Sequence, residues 1–540
     1  MSQAKNKSID PITLSVLWAR LISIVDEAGT TLQRTSFSTV TRESNDFAVV
    51  LMDESGRSIA QSSISVPSFL GVIPMLTKAL LTHYFPVHTW NEGDAVITND
   101  PWLCAGHKPD IGIVSPIFYQ KKLIGFIGTI AHSPDMGGVL WGAGARDFYE
   151  EGLLLPPLKL IEECKYRDDI ISIIHGNVRA ADQTLGDIRA QVAANEQGIR
   201  SLIQLMGEYE LNTLKEVADE IITTTERAMR KSLSDVPDGD YPFEYKVDGD
   251  GQHEPLRLKL IVSIRKDTIH LDWSGSAPAS PLAINAVMNY TYAYTAYPVK
   301  CIFSPDIPNN EGAFYPITVY AENGSLLNAQ KPSPLGARNI TGNILHAPVF
   351  GALAQIVPEK VQADCGSACW SVVLNGIDLY GREFVEYFFL NGGYGARPDR
   401  DGIHTLSFPT NVANVPIEVL EHSVPILVTR KSLANGSGGD GKFRGGLGQD
   451  FWFKNTGNVS LNISILTEKI RTRSKGLLGG HDGSSGTIQI IPERPFPKKG
   501  LEKLYPGEEL RLRVPGGGGF GEPMDRSPDL IQRDQFYKYF

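Results

Sequence analysis

The chain has 540 residues, 21 % of them charged and 42 % apolar, with 53 glycines and 34 prolines, enough for roughly two to four domains rich in short strands and turns. A formal charge of −10 with scattered Lys and Arg excludes a basic footprint for nucleic acid or anionic membrane, and no apolar run reaches the length of a bilayer span. Met1–Ser8 lacks the apolar core of a leader, and five cysteines are too few and too unevenly spaced for a disulfide framework, so the reading is a cytoplasmic protein.

The first element is a helix. Asp10 is its N-cap, Pro11 its first residue, and Leu14, Leu17, Trp18, Leu21, Ile24 and Val25 share one face. Residues 47–52 read as a strand opened by Asp46, turned by Asp53 to Gly56 and returned through residues 59–61. Two apolar runs, 111–118 and 123–131, read as buried strands. Residues 186–231 carry a helical period without proline and predict one or two long helices. After Asp235 the texture changes to short β-like runs broken by Gly, Pro and Asn, with helical character returning at 342–356. From Asn435 the tail is glycine-rich, with strand signals at 451–453, 459–466, 487–491 and 510–514. The expected fold class is α+β: a mixed α/β metal-bearing region over 1–185, a helical segment over 186–234, a mixed β/α domain over 235–434 and a glycine-rich β region over 435–540.

The chemistry concentrates in two stretches. Residues 99–110 hold Cys104, His107 and Asp110 ahead of the first apolar run, and the second run delivers His132, with Asp135 three residues later. Groups at the ends of buried strands are held by a rigid scaffold. Two imidazoles and a carboxylate suit Zn²⁺, Mn²⁺ or Fe²⁺ and leave coordination positions free for substrate or solvent. The same residue types also serve ordinary turns. Asp135 is the candidate catalytic carboxylate, to orient a histidine or accept a proton, although capping a turn is the commoner role for such a residue. Asp46 opens its own strand and is a third carboxylate within possible reach of this site.

Other motifs fail on chemistry. Residues 436–442 match a phosphate-binding loop, but Phe443 stands where a hydroxyl must meet Mg²⁺, and the glycines that follow cannot open a helix. Gly516, Gly518 and Gly521 match a dinucleotide fingerprint as a string only, because Pro523 and Pro528 forbid its helix. Cys365 and Cys369 lack a second pair or a nearby histidine, and no Gly-x-Ser-x-Gly elbow occurs.

The ordered set of 34–38, 43–47, 99–101, His107-x-Pro-Asp110, residues 131–138, 177–179, 186–191, 308–312, 416–418, 443–448 and 515–519 resembles the hydantoinase B/oxoprolinase family along nearly the whole chain. The resemblance implies a large subunit working in a hetero-oligomer with a hydantoinase A-type, actin-like-fold ATPase, which would hold ATP and Mg²⁺. It implies either ATP-dependent hydrolysis of a cyclic amide of the hydantoin, lactam or oxoproline type, or carboxylation of a ketone such as acetone or acetophenone. A structural subunit with a vestigial site is the remaining alternative. The resemblance also implies His107, Asp110, His132 and Asp46 as ligands of a divalent metal, Zn²⁺ or Mn²⁺. Cys104-Ala-Gly106 departs from the family's usual Gly-Gly-Thr, which bears on the loop beside the site.

Overall fold

The computed structural model describes residues 9–249, 254–367, 369–378 and 381–540; Met1–Ser8, read above as lacking a leader's apolar core, lies outside them. The opening helix runs Pro11–Thr35, with Asp10 accepting from Ile12 N at 3.1 Å and Thr13 N at 3.0 Å, as its capping sequence requires. Strands β1 (Phe47–Asp53), β2 (Ser58–Gln61), β3 (Ala95–Thr98), β4 (Asp110–Tyr119), β5 (Lys122–His132), β6 (Leu158–Glu162) and β7 (Lys165–Tyr166) form an antiparallel sheet in the order β2-β1-β5-β4-β3-β6-β7.

Both faces of this sheet are covered. Phe47, Val49 and Leu51 pack with Leu21, Val25 and Leu32 of the first helix and with Ala194 and Leu202 of the Ala181–Glu208 helix. Ala48, Val50 and Met52 point the other way, onto Phe69, Ile73 and Leu76 of the Pro67–Ala79 helix. Period-two alternation therefore feeds two cores, and β1 is buried along its whole length. The long proline-free region is two helices, Ala181–Glu208 and Lys215–Ser234.

Strands β8 (Gly239–Val247), β9 (Leu256–Arg265), β10 (Thr268–Asp272) and β11 (Ile317–Tyr320) make a second sheet, ordered β11-β10-β9-β8. The Met288–Phe303 helix packs beside it, giving that core Tyr290, Tyr294 and Val299. Strands β12 (Trp370–Ile377), β13 (Glu383–Leu390), β14 (Ile426–Leu433), β15 (Gln449–Asn455), β16 (Leu461–Leu466), β17 (Thr487–Ile491), β18 (Gly500–Leu504) and β19 (Glu509–Arg513) form the sheets β13-β12-β16-β18 and β14-β15-β19-β17. Apolar residues of both, among them Trp370, Phe388, Phe451 and Leu512, share one core.

The glycine-rich runs pack backbone against backbone. Gly446 N donates to Tyr394 O at 2.8 Å and Gly517 N to Gly446 O at 2.9 Å. A Cβ on Gly393 would stand 1.8 Å from Gly446 O, and one on Gly445 2.0 Å from Gly517 O, so side chains are excluded there by space. The 436–448 segment is a run of turns and bends that bridges to Phe520 through Phe443 and leads into strand β15 rather than a helix. Among the described residues no helix is long and apolar enough to cross a membrane.

Candidate metal centre

Three neighbouring strands bring the site together. Asp110 is the first residue of β4 and His132 the last of β5, and the antiparallel register sets them directly opposite each other. Asp46 immediately precedes β1, whose Phe47 pairs with Ala131, and its carbonyl accepts from His132 N at 3.1 Å. His107 comes from the loop before β4. Asn99 clamps that loop, donating to Lys108 O at 2.8 Å and Leu153 O at 3.0 Å and accepting from Leu155 N at 2.6 Å. Gly106 has φ +91°, and a Cβ there would press on Arg338 and Tyr290.

His107, Asp110 and His132 are all buried, with candidate ligand atoms within 4.8 Å of one another. His107 Nε2 lies 2.9 Å and His132 Nδ1 3.0 Å from the same Asp110 Oδ1. His107 Nδ1 meets Gly336 O at 2.7 Å. A carbonyl only accepts, so Nδ1 carries the proton and Nε2 a lone pair. That lone pair faces a carboxylate oxygen, and among the described residues the buried Nε2 has no hydrogen-bond partner. Two electron-rich atoms confronting each other out of water fit a cation between them, and the donor set suits Zn²⁺ or Mn²⁺.

The electrostatics favour this ligand state. Burial, then the Arg338 charge, pushes His107 down to about 4, so its imidazole is neutral near pH 7. Burial alone would raise Asp110, but the Arg338 guanidinium paired with it holds its carboxyl well below the usual range. Arg338 pairs with the second oxygen, Asp110 Oδ2, donates through Nε to Ala105 O at 2.6 Å and lies 3.9 Å over the Tyr290 ring. Asp46 lines the same cavity but stands outside the three-residue group. Burial pushes it up to about 6 against the pull of His132.

The cavity measures about 30 Å³, room for roughly two waters. Its wall is aromatic: His132 stacks on Tyr387 with centroids 5.0 Å apart, and Trp141 meets His132 edge-on at 5.2 Å. Cys369 and Asn343 complete one side. Cys104 is fully buried beneath the loop, 3.0 Å from where a Gly112 Cβ would stand, and burial raises its thiol pKa. It packs there as a small apolar group.

Asp135 is placed differently. Its Oδ2 accepts from Arg179 N at 2.6 Å and Gly137 N at 3.1 Å, and its Oδ1 pairs with the Arg179 guanidinium. It lines a separate small cavity beyond Trp141. The structure thus brings His107, His132 and Asp46 to one cavity, with Asp110 against both histidines, and leaves Asp135 outside it. Arg338, Trp141, Tyr387 and Asn343 were missed in the sequence; Arg338 reaches Asp110 across 228 positions, a separation with no local signal.

A family model described as hydantoinase B/oxoprolinase matches residues 10–523. A Pseudomonas sp. (strain NS671) protein, provisionally named as one subunit of a D-/L-hydantoinase, is 30 % identical, over 98 % of this chain and 93 % of its own length. The crystal structure of the ATP-dependent caprolactamase from Pseudomonas jessenii superposes with a TM-score of 0.91 at 27 % identity, covering 99 % of this chain and 95 % of that one. A nucleotide-free acetone carboxylase superposes with a TM-score of 0.88 at 18 % identity, over 100 % and 79 % of the two chains, a likeness of fold.

Proposed function

This chain belongs to the hydantoinase B/oxoprolinase family, and on that premise we propose that it is the metal-bearing large subunit of an ATP-dependent cyclic-amide hydrolase. The observation that carries this reading is the buried His107–Asp110–His132 donor set with its unpartnered Nε2, in a chain that superposes along 99 % of its length on a caprolactamase. An ATPase partner supplies nucleotide binding, since the 436–448 glycines here lead into no helix.

His107, Asp110 and His132 hold the ion, with Asp46 as a further ligand from the same cavity. A divalent ion bound there supplies Lewis acidity to a substrate carbonyl or to water. Arg338 keeps Asp110 ionised and its second oxygen occupied, so that one oxygen faces the histidines. Gly336 O fixes the His107 tautomer. Trp141 and Tyr387 exclude bulk water. Asp135 supports the 133–138 loop through Arg179 and acts on the reaction only through that loop.

The test is ATP hydrolysis by the purified chain, alone and with its ATPase partner, on hydantoins, lactams and ketones, each with and without bicarbonate. Lactam- or hydantoin-dependent turnover that requires the partner is expected. Turnover only with a ketone and bicarbonate would assign the acetone-carboxylase branch, whose fold this chain shares. Full activity of a metal-free complex would make the site vestigial.

A further inference from the structure

The wall beyond Trp141 holds a carboxylate that the proposed chemistry does not use. Glu151 ends the short Phe148–Glu151 turn, which Asp147 caps by accepting from Tyr149 N at 2.8 Å and Glu150 N at 3.1 Å. Its side chain is buried. Oε1 accepts from Leu335 N at 2.5 Å and Gly336 N at 2.6 Å, while Oε2 has no partner among the described residues. A carboxylate placed out of water to bind two consecutive main-chain N–H groups fixes the peptides that carry them.

Those peptides open the segment that orients two of the three ligands. Gly336 O accepts from His107 Nδ1 at 2.7 Å and from Trp141 Nε1 at 2.6 Å. Two residues on, Arg338 holds Asp110 Oδ2 and Ala105 O. The Glu151 turn is tied to the ligand loop a second time, since Lys108 Nζ donates to Gly152 O at 2.7 Å and sits 4.0 Å over the Phe148 ring. No side chain fits at Gly336 without displacement, because a Cβ there would meet Gly142 O at 2.9 Å.

We propose that Glu151 is the positioning residue of the metal centre: by clamping Leu335 N and Gly336 N it aims the Gly336 carbonyl at His107 and the Arg338 guanidinium at Asp110. The inference rests on the reading of His107, Asp110 and His132 as ligands. Partners in such an outer layer change metal affinity by about 10–100-fold when removed.

The experiment is titration of the full-length chain, without its ATPase partner, with Zn²⁺ and with Mn²⁺. Glu151→Ala should lose about 10–100-fold in affinity. Glu151→Asp, one methylene short of the two N–H groups, should lose affinity while keeping the charge, and covers the case in which the alanine variant does not fold. Glu151→Gln keeps an acceptor for both N–H groups and should bind like wild type. Glu468→Ala is the control for general destabilisation: that buried carboxylate accepts from Asp248 N at 2.6 Å and pairs with Lys499 at 2.7 Å, and its loss should lower Tm and leave affinity unchanged. Wild-type affinity in the alanine or aspartate variant, or an equal loss in Glu468→Ala, overturns the role of Glu151. A wild-type chain that binds neither ion overturns the ligand reading itself.

Discussion

Adding metal to the wild-type chain should raise its Tm, and the double variant His107→Ala/His132→Ala should abolish that rise. His107 Nε2 and Asp110 Oδ1 lie 2.9 Å apart, and Nε2 has no hydrogen-bond partner among the described residues, an arrangement that an ion between them would make attractive. A ligand at about 100 times its Kd stabilises the folded state by about 2.7 kcal/mol. With an unfolding entropy of about 2.1 cal/mol/K per residue, a chain of 540 residues has roughly 1.1 kcal/mol/K, so the expected rise is only about 2–3 °C. Differential scanning calorimetry of the chelator-treated chain, titrated with Zn²⁺ or Mn²⁺, resolves such a shift, and elemental analysis supplies the stoichiometry, expected near one ion per chain. The absolute Tm of the variant is not diagnostic, because losing two imidazoles also removes packing against Trp141 and Tyr387. The metal dependence is. A folded double variant whose Tm still climbs by the wild-type amount, or that keeps its metal, refutes the site.

Three further outcomes follow from burial. Arg338→Met strands the fully buried Asp110 carboxylate and should cost about 3–5 kcal/mol in the metal-free chain, whereas Arg338→Met combined with Asp110→Asn should recover much of it in denaturant unfolding; additive losses would show that the pair is not coupled. Glu386 is pushed up to about 7 by burial despite the Thr39 hydroxyl bonded to it. The native state therefore holds this proton more tightly than the unfolded chain, and the group's contribution, full below about pH 4.5, is lost as pH rises through about 7. Glu386→Gln should flatten that window by on the order of 3 kcal/mol, and an unchanged pH profile would remove the argument. Gly393→Ala places a Cβ 1.8 Å from Gly446 O and should prevent soluble folding, while Gly207→Ala, with nothing within 4 Å in the Ala181–Glu208 helix, should stabilise by about 0.5–1 kcal/mol; equal behaviour of the two would mean that the glycine bundle tolerates side chains.

What the sequence disclosed and what it hid divide by the range of the interaction. Asp10 and Pro11 announce a helix because a cap acts within four residues, and residues 111–118 and 123–131 announce strands because alternation and continuous apolarity are written locally. The candidate ligands His107, Asp110 and His132 stood out for the same reason: each sits at or just before a strand end, and the register that sets Asp110 opposite His132 brings those two into contact. The Met288–Phe303 helix was invisible. Its Pro298 and its all-round burial erase the one-sided pattern by which an exposed helix is recognised. The glycine runs match nucleotide-loop strings that fail on chemistry, and the fold shows what their spacing serves instead: backbone packing so close that a Cβ on Gly393 would stand 1.8 Å from Gly446 O. Arg338 and Glu151 belong to no motif because their work is done through folded neighbours: one holds a carboxylate 228 positions away, the other two main-chain N–H groups 184 and 185 positions away. Pattern reading thus finds the atoms that would touch the ion, and only the folded chain shows which charges and carbonyls aim them, so loss of Glu151 or Arg338 should weaken Zn²⁺ or Mn²⁺ binding, whereas loss of His107 and His132 together should abolish it.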